Sequence, residues 1–276
     1  MLKKRIIFTL LYDSGFFMLS RNFRLQRVGN LDWLQRNYNF SHIAFYIDEL
    51  IVLDVSRGER NPEAFCEALK SLAAGCFVPI AAGGGVRSVE DARQLLRSGA
   101  DKIVVNTALF DTPALVAELT QAFGQQCIVG SVDVKRMADG EYRIFTAQGD
   151  RMIPLNPADA MSWLGEKIVG EIYLNSIDRD GTGQGYDLDL LDILPLSCPV
   201  PVILAGGVGN GSHLVAGFQD ARVDAVATAH LFNFIGDGLQ RARETLLAQG
   251  ALLASWPSLN DLRLVLPVQD TVMTHP

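Results

Sequence analysis

Two glycine-rich turns carry the clearest chemical signal in this sequence. Gly83-Gly84-Gly85 and Gly206-Gly207 each follow an apolar run of strand length and precede a stretch of helical period. Glycine lets backbone N–H groups come close to an anion, and the N–H groups at a helix start point at it. Asn106-Thr107 and Ala229-His230 close the next apolar runs and are expected to flank the two turns. A pair of tight structural turns is the alternative, and two turns at equivalent places favour phosphate. Sites on opposite sides of one mouth would suit a long ligand with a phosphate at each end.

The elements that hold these turns follow from an internal repeat. Val78-Pro79-Ile80-Ala81-Ala82-Gly83-Gly84-Gly85-Val86 recurs as Val200-Pro201-Val202-Ile203-Leu204-Ala205-Gly206-Gly207-Val208, an offset of 122 residues. At the same offset Glu49-Leu50-Ile51 meets Glu171-Ile172-Tyr173 and Ile6-Ile7-Phe8 meets Ile128-Val129-Gly130; one residue out of step, Asp101-Lys102-Ile103-Val104 meets Asp224-Ala225-Val226-Ala227. Each half holds four near-continuous apolar runs, as strands buried on both faces require. The predicted strands are Arg5–Leu11, Glu49–Asp54, Val78–Ala82, Lys102–Asn106, Cys127–Asp133, Glu171–Asn175, Pro201–Ala205 and Asp224–Thr228. Helix starts are expected at Ser88, with Asp91 three residues on, at Asp111-Thr112-Pro113 and at Asn156-Pro157. Eight strands alternating with helices predict an α/β fold, a (β/α)8 barrel built from two similar half-barrels over residues 1–250. A doubly wound open sheet is the runner-up. Residues 251–276 have no counterpart in the first half and are expected to be a partly disordered tail.

Composition narrows the function classes. The chain has 276 residues, 49% of them hydrophobic and 20% charged, which suits a globular domain with a sizeable core. A net charge of −7 argues against nucleic acid and anionic membranes as partners. No apolar stretch reaches membrane-spanning length, and the basic start before Ile6-Ile7-Phe8 lacks a cleavage site, so a soluble cytoplasmic protein is expected. Cys66, Cys76, Cys127 and Cys198 are far apart and are expected to be buried thiols in a reducing compartment. No metal site and no organic cofactor is expected.

Ser131-Val132-Asp133-Val134-Lys135-Arg136 and Ser176-Ile177-Asp178-Arg179-Asp180-Gly181-Thr182, with the paired glycine turns, resemble the cyclase subunit of imidazole glycerol phosphate synthase. The resemblance runs from Met1 to about Ala248. It implies a (β/α)8 barrel with a glutaminase partner, a heterodimer in which glutamine-derived ammonia crosses the barrel to the opposite mouth. There it meets a bis-phosphorylated ribulosyl aminoimidazole nucleotide. The resemblance also assigns residues. Asp133 matches the catalytic aspartate on the fifth strand, where a carboxylate at a strand's C-terminal end can serve as general acid or base. Asp54, Asp180 and Gly181 match the lining of the mouth. Arg5, Glu49, Lys102 and Glu171, all at strand starts, match a charged ring that gates ammonia. Without the resemblance, those four charges read equally well as a self-satisfied salt-bridge plug.

The chain also departs from the family. The repeat places Leu11 where the family has a second catalytic aspartate, and by the resemblance Leu19 matches a substrate-contacting lysine and His230 a phosphate-contacting serine. Asp13 lies two residues beyond Leu11. These changes fall on ring closure and leave the ammonia route. They resemble a divergent branch of the family associated with surface-polysaccharide loci, in which ammonia is thought to serve amidation of a sugar. Three functions remain open: a subunit serving such an amidation, a histidine-pathway cyclase, and a scaffold that activates a glutaminase. A phosphate-binding isomerase on the same half-barrel plan is a weaker fourth.

Overall fold

The computed structural model describes residues 3–254 apart from 39, 44, 167, 196 and 197. Twelve strands and nine α-helices occur among the described residues. The strands are β1 (Arg5–Asp13), β2 (Phe16–Arg21), β3 (Arg24–Gly29), β4 (Glu49–Asp54), β5 (Ile80–Gly83), β6 (Lys102–Val105), β7 (Ile128–Arg136), β8 (Tyr142–Thr146), β9 (Arg151–Ile153), β10 (Glu171–Ser176), β11 (Val202–Ala205) and β12 (Ala225–Thr228). The helices are α1 (Leu31–Asn37), α2 (Phe40–Ile43), α3 (Pro62–Gly75), α4 (Val89–Arg97), α5 (Thr107–Asp111), α6 (Pro113–Phe123), α7 (Pro157–Gly165), α8 (Gly211–Phe218) and α9 (Gly238–Ala248).

Eight of the strands close into a parallel barrel, in the order β1-β4-β5-β6-β7-β10-β11-β12 and back to β1. They are the eight expected from the apolar runs. The closing pair sets Arg5 beside Ala225 and Phe8 beside Thr228, which excludes the open sheet. Alternation along each strand divides the core into two layers. Ile6, Phe8 and Leu10 face the helices, whereas Ile7, Ile51, Val104, Val129 and Ile203 fill the barrel interior. Each fully buried side chain of this size contributes about 1.5–3 kcal/mol through apolar burial. The predicted helix starts hold. The Ser88 side chain accepts from Asp91 N at 3.1 Å while Asp91 accepts from Arg87 N, Pro113 opens α6, and Asn156 accepts from Ala158 N ahead of Pro157.

The repeat is written into the hydrogen bonds. Asp101 exchanges bonds with the backbone of Ile80, and Asp224 exchanges the same pair with Val202. The four strands that apolar runs did not predict are also duplicated. β2 and β3 extend β1 as an antiparallel hairpin, and β8 and β9 extend β7 in the same way. β3, β8 and β9 mix polar and apolar residues at the rim, so no continuous apolar run marks them, whereas β2 carries the short run Phe16-Phe17-Met18-Leu19, with Phe17 and Met18 buried, two residues after β1 ends.

The chain beyond α9 returns to the barrel floor. Lys4 N donates to Leu252 O, Leu253 is buried, and Arg243 pairs with Asp48 and with the Ala254 carbonyl. The expected tail from residue 255 onward lies outside the described residues. Of the four thiols, Cys76 and Cys127 are buried as expected, whereas Cys66 and Cys198 are only half-buried, because they sit at a helix face and a loop rather than under the sheet. No helix among the described residues is long and apolar enough to cross a membrane.

Candidate active site

Strand alternation carries side chains of β1, β4, β7 and β10 to the C-terminal mouth of the barrel, where a cavity of about 820 Å3 opens. Asp133 stands at its base, on β7, surrounded by protein atoms but open to the cavity. Asn175 Nδ2 donates to one carboxylate oxygen and Asn106 Nδ2 to the other, each at 2.9 Å. Both amides come from neighbouring strand ends, so the carboxylate is fixed from two sides. Burial pushes its pKa up to about 6, and the charge of Asp180 adds to this against the two amide bonds. A carboxylate in that range exchanges protons near neutral pH and suits general acid–base work.

Asp180 serves as an anchor as well as a lining group. It accepts from Ser20 Oγ and from Phe23 N, and its own carbonyl accepts from Asn22 N, so it ties the β2–β3 hairpin over the mouth. Burial raises its pKa, partly offset by these bonds and by His230. Gly181 is packed so closely against the Ser20 backbone that a Cβ would stand 1.8 Å from its carbonyl oxygen. His230 accepts from Asn233 N through Nδ1 at 3.4 Å, and burial lowers its pKa, which favours the neutral ring at pH 7.

The expected phosphate residues come together at opposite sides of the same cavity. Gly84, Gly85, Asn106 and Thr107 line one side; Gly206, Gly207, Ala229 and His230 line the other. Gly83 is outside the lining. It ends β5, where a Cβ would stand 2.2 Å from Val104 O, so its position is a packing requirement of the β5–β6 pair. Asp54 lines the cavity and accepts from Ser56 N at 2.9 Å. Leu11 and Leu19 line it too, whereas Asp13 lies outside the lining and accepts from Ser14 Oγ at an exposed turn.

At the other end of the barrel, Arg5, Glu49, Lys102 and Glu171 converge as one network. Arg5 bonds Glu49 at 2.8 Å and Glu171 at 3.1 Å; Lys102 bonds them at 3.0 and 2.9 Å. Each carboxylate thus meets both cations, the condition under which buried charges are tolerated. Glu49 is 2% exposed and Glu171 12%. Between floor and mouth, Tyr173 reaches across to Thr9 at 3.3 Å, and burial holds its phenol well above the ordinary value.

Sequence reasoning missed several lining groups. Asn175 stands just before the Ser176–Thr182 segment and in sequence only resembles the divergent branch, whereas its bond to Asp133 depends on the register of β10 against β7. Arg57 and Arg60 lie on the loop after β4, where nothing in the local pattern marks them. Gln148, held to Ser56 O at 3.1 Å with φ of 61°, comes from the β8–β9 turn. Among the described residues no three His, Cys, Asp or Glu side chains gather where they could hold a metal ion.

A family model described as "Histidine biosynthesis protein" matches residues 38–236. A protein of Parasynechococcus marenigrum (strain WH8102) named "Putative imidazole glycerol phosphate synthase subunit hisF2" is 48% identical over 261 residues, covering 94% of this chain and 97% of its own length. A closed barrel with its mouth and floor equipped in this way, matched over these spans, belongs to the histidine biosynthesis protein family.

Proposed function

We propose that this chain is the ammonia-using barrel subunit of a glutamine amidotransferase system, a synthase of the imidazole glycerol phosphate type redirected to a phosphorylated or sugar acceptor. The observation that carries this is that the carboxylate of Asp133 has no counterpart at its repeat-equivalent position. Asp133 is held by Asn106 and Asn175, while its repeat partner is Leu11. In this scheme a glutaminase docks at the barrel floor to form a heterodimer. Arg5, Glu49, Lys102 and Glu171 are the ring that ammonia passes, and the interior leads it to Asp133. As ammonia adds to an electrophilic carbonyl carbon of the acceptor, the C=O π pair moves to oxygen, and Asp133 takes a proton from the nitrogen and returns it to that oxygen. The glycine turns, with Asn106, Thr107, Ala229 and His230, hold the acceptor through its anionic groups. Asp54 positions the loop that leads to Arg60, and Asp180 with Gly181 positions the hairpin that covers the acceptor. The setting proposed is cytoplasmic, with the acceptor a sugar of surface-polysaccharide synthesis, by resemblance to the divergent branch.

A histidine-pathway cyclase is the second proposal, supported by the name of the 48% identical relative. Purified chain supplied with ammonium and the histidine-pathway nucleotide separates the two. Cyclase turnover more than about 10²-fold below an ordinary enzymic rate of roughly 10 per second is expected, because one acid–base group is absent. Turnover near the ordinary rate would establish the cyclase instead. A scaffold that only activates a glutaminase is separated by Asp133→Asn: pathway output unchanged by that substitution would favour the scaffold.

A further inference from the structure

The two rim hairpins are equivalent in the repeat but not in what they bring to the mouth. The β2–β3 hairpin lines the cavity with Leu19, Ser20, Phe23 and Leu25, whereas the β8–β9 hairpin contributes its turn, Ala147 and Gln148. The strand ends follow the same division. Leu11 and Leu53 are cross-strand neighbours on β1 and β4, and the matching places on β7 and β10 hold Asp133 and Asn175.

The apolar members of this set stand apart from the packed core. Leu11, Leu19, Phe23 and Leu25 are half-buried and belong to neither of its two layers; Leu53, also half-buried, packs against the inner one. Leu25 is opposite Ser20 in the hairpin register, so it shares the face that Ser20 turns to Asp180. The Phe23 ring lies against Gly149, where an added Cβ would be 3.0 Å from it, so the tips of the two hairpins touch.

The polar groups on this side are already engaged. Thr9 bonds the Tyr173 hydroxyl, and Ser20 Oγ donates to Asp180. No charged side chain of β1, β2 or β3 lines the cavity among the described residues. The charged lining groups stand elsewhere. Asp54 ends β4 and pairs at 3.6 Å with Arg60, which lies against Gly85; Arg57 donates to the Phe23 carbonyl at 2.7 Å. Arg87 and Asp111 follow beyond β5 and β6, and Asp133 and Asp180 belong to the second half. A heterocyclic base laid against the leucines would leave its ring nitrogens and exocyclic groups without partners, whereas an aliphatic chain has none to satisfy.

We propose that the acceptor carries an aliphatic substituent, which lies against Leu11, Leu25 and Leu53 while the reacting carbon faces Asp133 on the polar side. Leu25 and Leu53 are thereby specificity-determining residues. This rests on the proposed use of the mouth as the acceptor site and adds the chemical class of the group bound there.

Calorimetric titration of the full chain with methyl, propyl and pentyl phosphate tests it. The anionic end is constant along the series, so the increment between members reads the apolar contact alone. Affinity is expected to rise by about threefold per methylene, and by at least about tenfold from methyl to pentyl. Leu25→Asn and Leu53→Asn are expected to cut the whole rise to about threefold or less. Leu25→Ala, which adds no polar group, reduces it in part, and Leu252→Asn, at an exposed position on the barrel floor, leaves it unchanged. A wild-type rise below tenfold, or no binding of any member, would overturn the inference. So would an undiminished rise in folded Leu25→Asn or Leu25→Ala, or an equal fall in Leu252→Asn. The wild-type series and Leu25→Ala need no polar substitution, so a misfolded asparagine variant leaves the test intact. Ammonia delivery from a glutaminase partner is read separately: its loss with the chain-length effect intact removes only the proposed function, and a flat series with delivery intact removes only this inference.

Discussion

The first half of the barrel and the second share a backbone and differ in chemistry. Their aspartate–backbone clasps, glycine turns and rim hairpins coincide, and Glu49 and Glu171 occupy matching places in the floor. Both cations of that floor, Arg5 and Lys102, come from the first half; the matching second-half positions are Cys127 and Ala225. At the mouth the order reverses. The first half contributes Leu11 and Leu53, and the second contributes Asp133 and Asn175 in the same register. Features set by backbone geometry survive duplication because the fold depends on them. Inward-pointing side chains at strand ends lie at the margin of the packed interior, so they can change with little consequence for closure.

That comparison can be broken at the floor first. Glu49 and Glu171 contact the same two cations, but Glu49 is the more buried. Glu49→Gln is expected to cost about 3 kcal/mol or more, since it leaves buried cations underpaired, and Glu171→Gln less. Chemical denaturation of both variants measures this, and equal losses would contradict the burial ranking.

The glycine turns give the next contrast. At Gly207 an added methyl meets backbone, whereas at Gly85 it meets the end of a flexible side chain. Gly207→Ala is expected to cost about 3 kcal/mol and Gly85→Ala about 1, the latter mostly the positive φ. Thermal melts of the two variants decide it; an inverted order would show that Arg60 is more rigidly placed than its single long ion pair implies.

Asp133 makes the mouth pH-dependent. Its folded pKa of about 6 lies above its ordinary 3.8. The fold therefore resists ionisation, and stability is greatest with the acid protonated. It falls as pH rises from about 4 through about 6, by about 2 kcal/mol once water in the cavity is allowed for, and is level above. Melts from pH 4 to 8 should show this decline, and Asp133→Asn should remove it. Activity that uses the carboxylate as a base runs the other way, rising through about pH 6.

The smallest effect comes from restoring symmetry. Leu11→Asp places a second carboxylate across the mouth. It is expected to cost about 1 kcal/mol at pH 8 and less at pH 5, where protonation relieves both desolvation and repulsion from Asp133. Equal cost at both pH values would mean that the new side chain turns out to solvent.

How much of this was legible beforehand differs from residue to residue. The eight barrel strands were visible because burial on both faces demands continuous apolar runs, and the helix starts because Ser88, Pro113 and Asn156 act on their immediate neighbours. Leu11 was readable as the counterpart of Asp133 because a repeat fixes register along the chain. The hairpins were not, since β3, β8 and β9 mix polar and apolar residues and the short apolar run of β2 follows β1 after only two residues. Gly83 looked like its neighbours in sequence and proved to be packed against Val104 instead of facing the cavity. The sequence by itself therefore determined the eight strands in two similar halves, their glycine turns and which charges start the strands, because these depend on contacts between near neighbours and on strand period. Only the tertiary structure decided that Asn106 and Asn175 grip Asp133, that Asp180 is spent holding the β2–β3 hairpin, and that Arg60 lies across one turn and not the other. Those contacts join loops from separate strands, and their meeting is fixed by barrel closure and register, which local pattern does not encode.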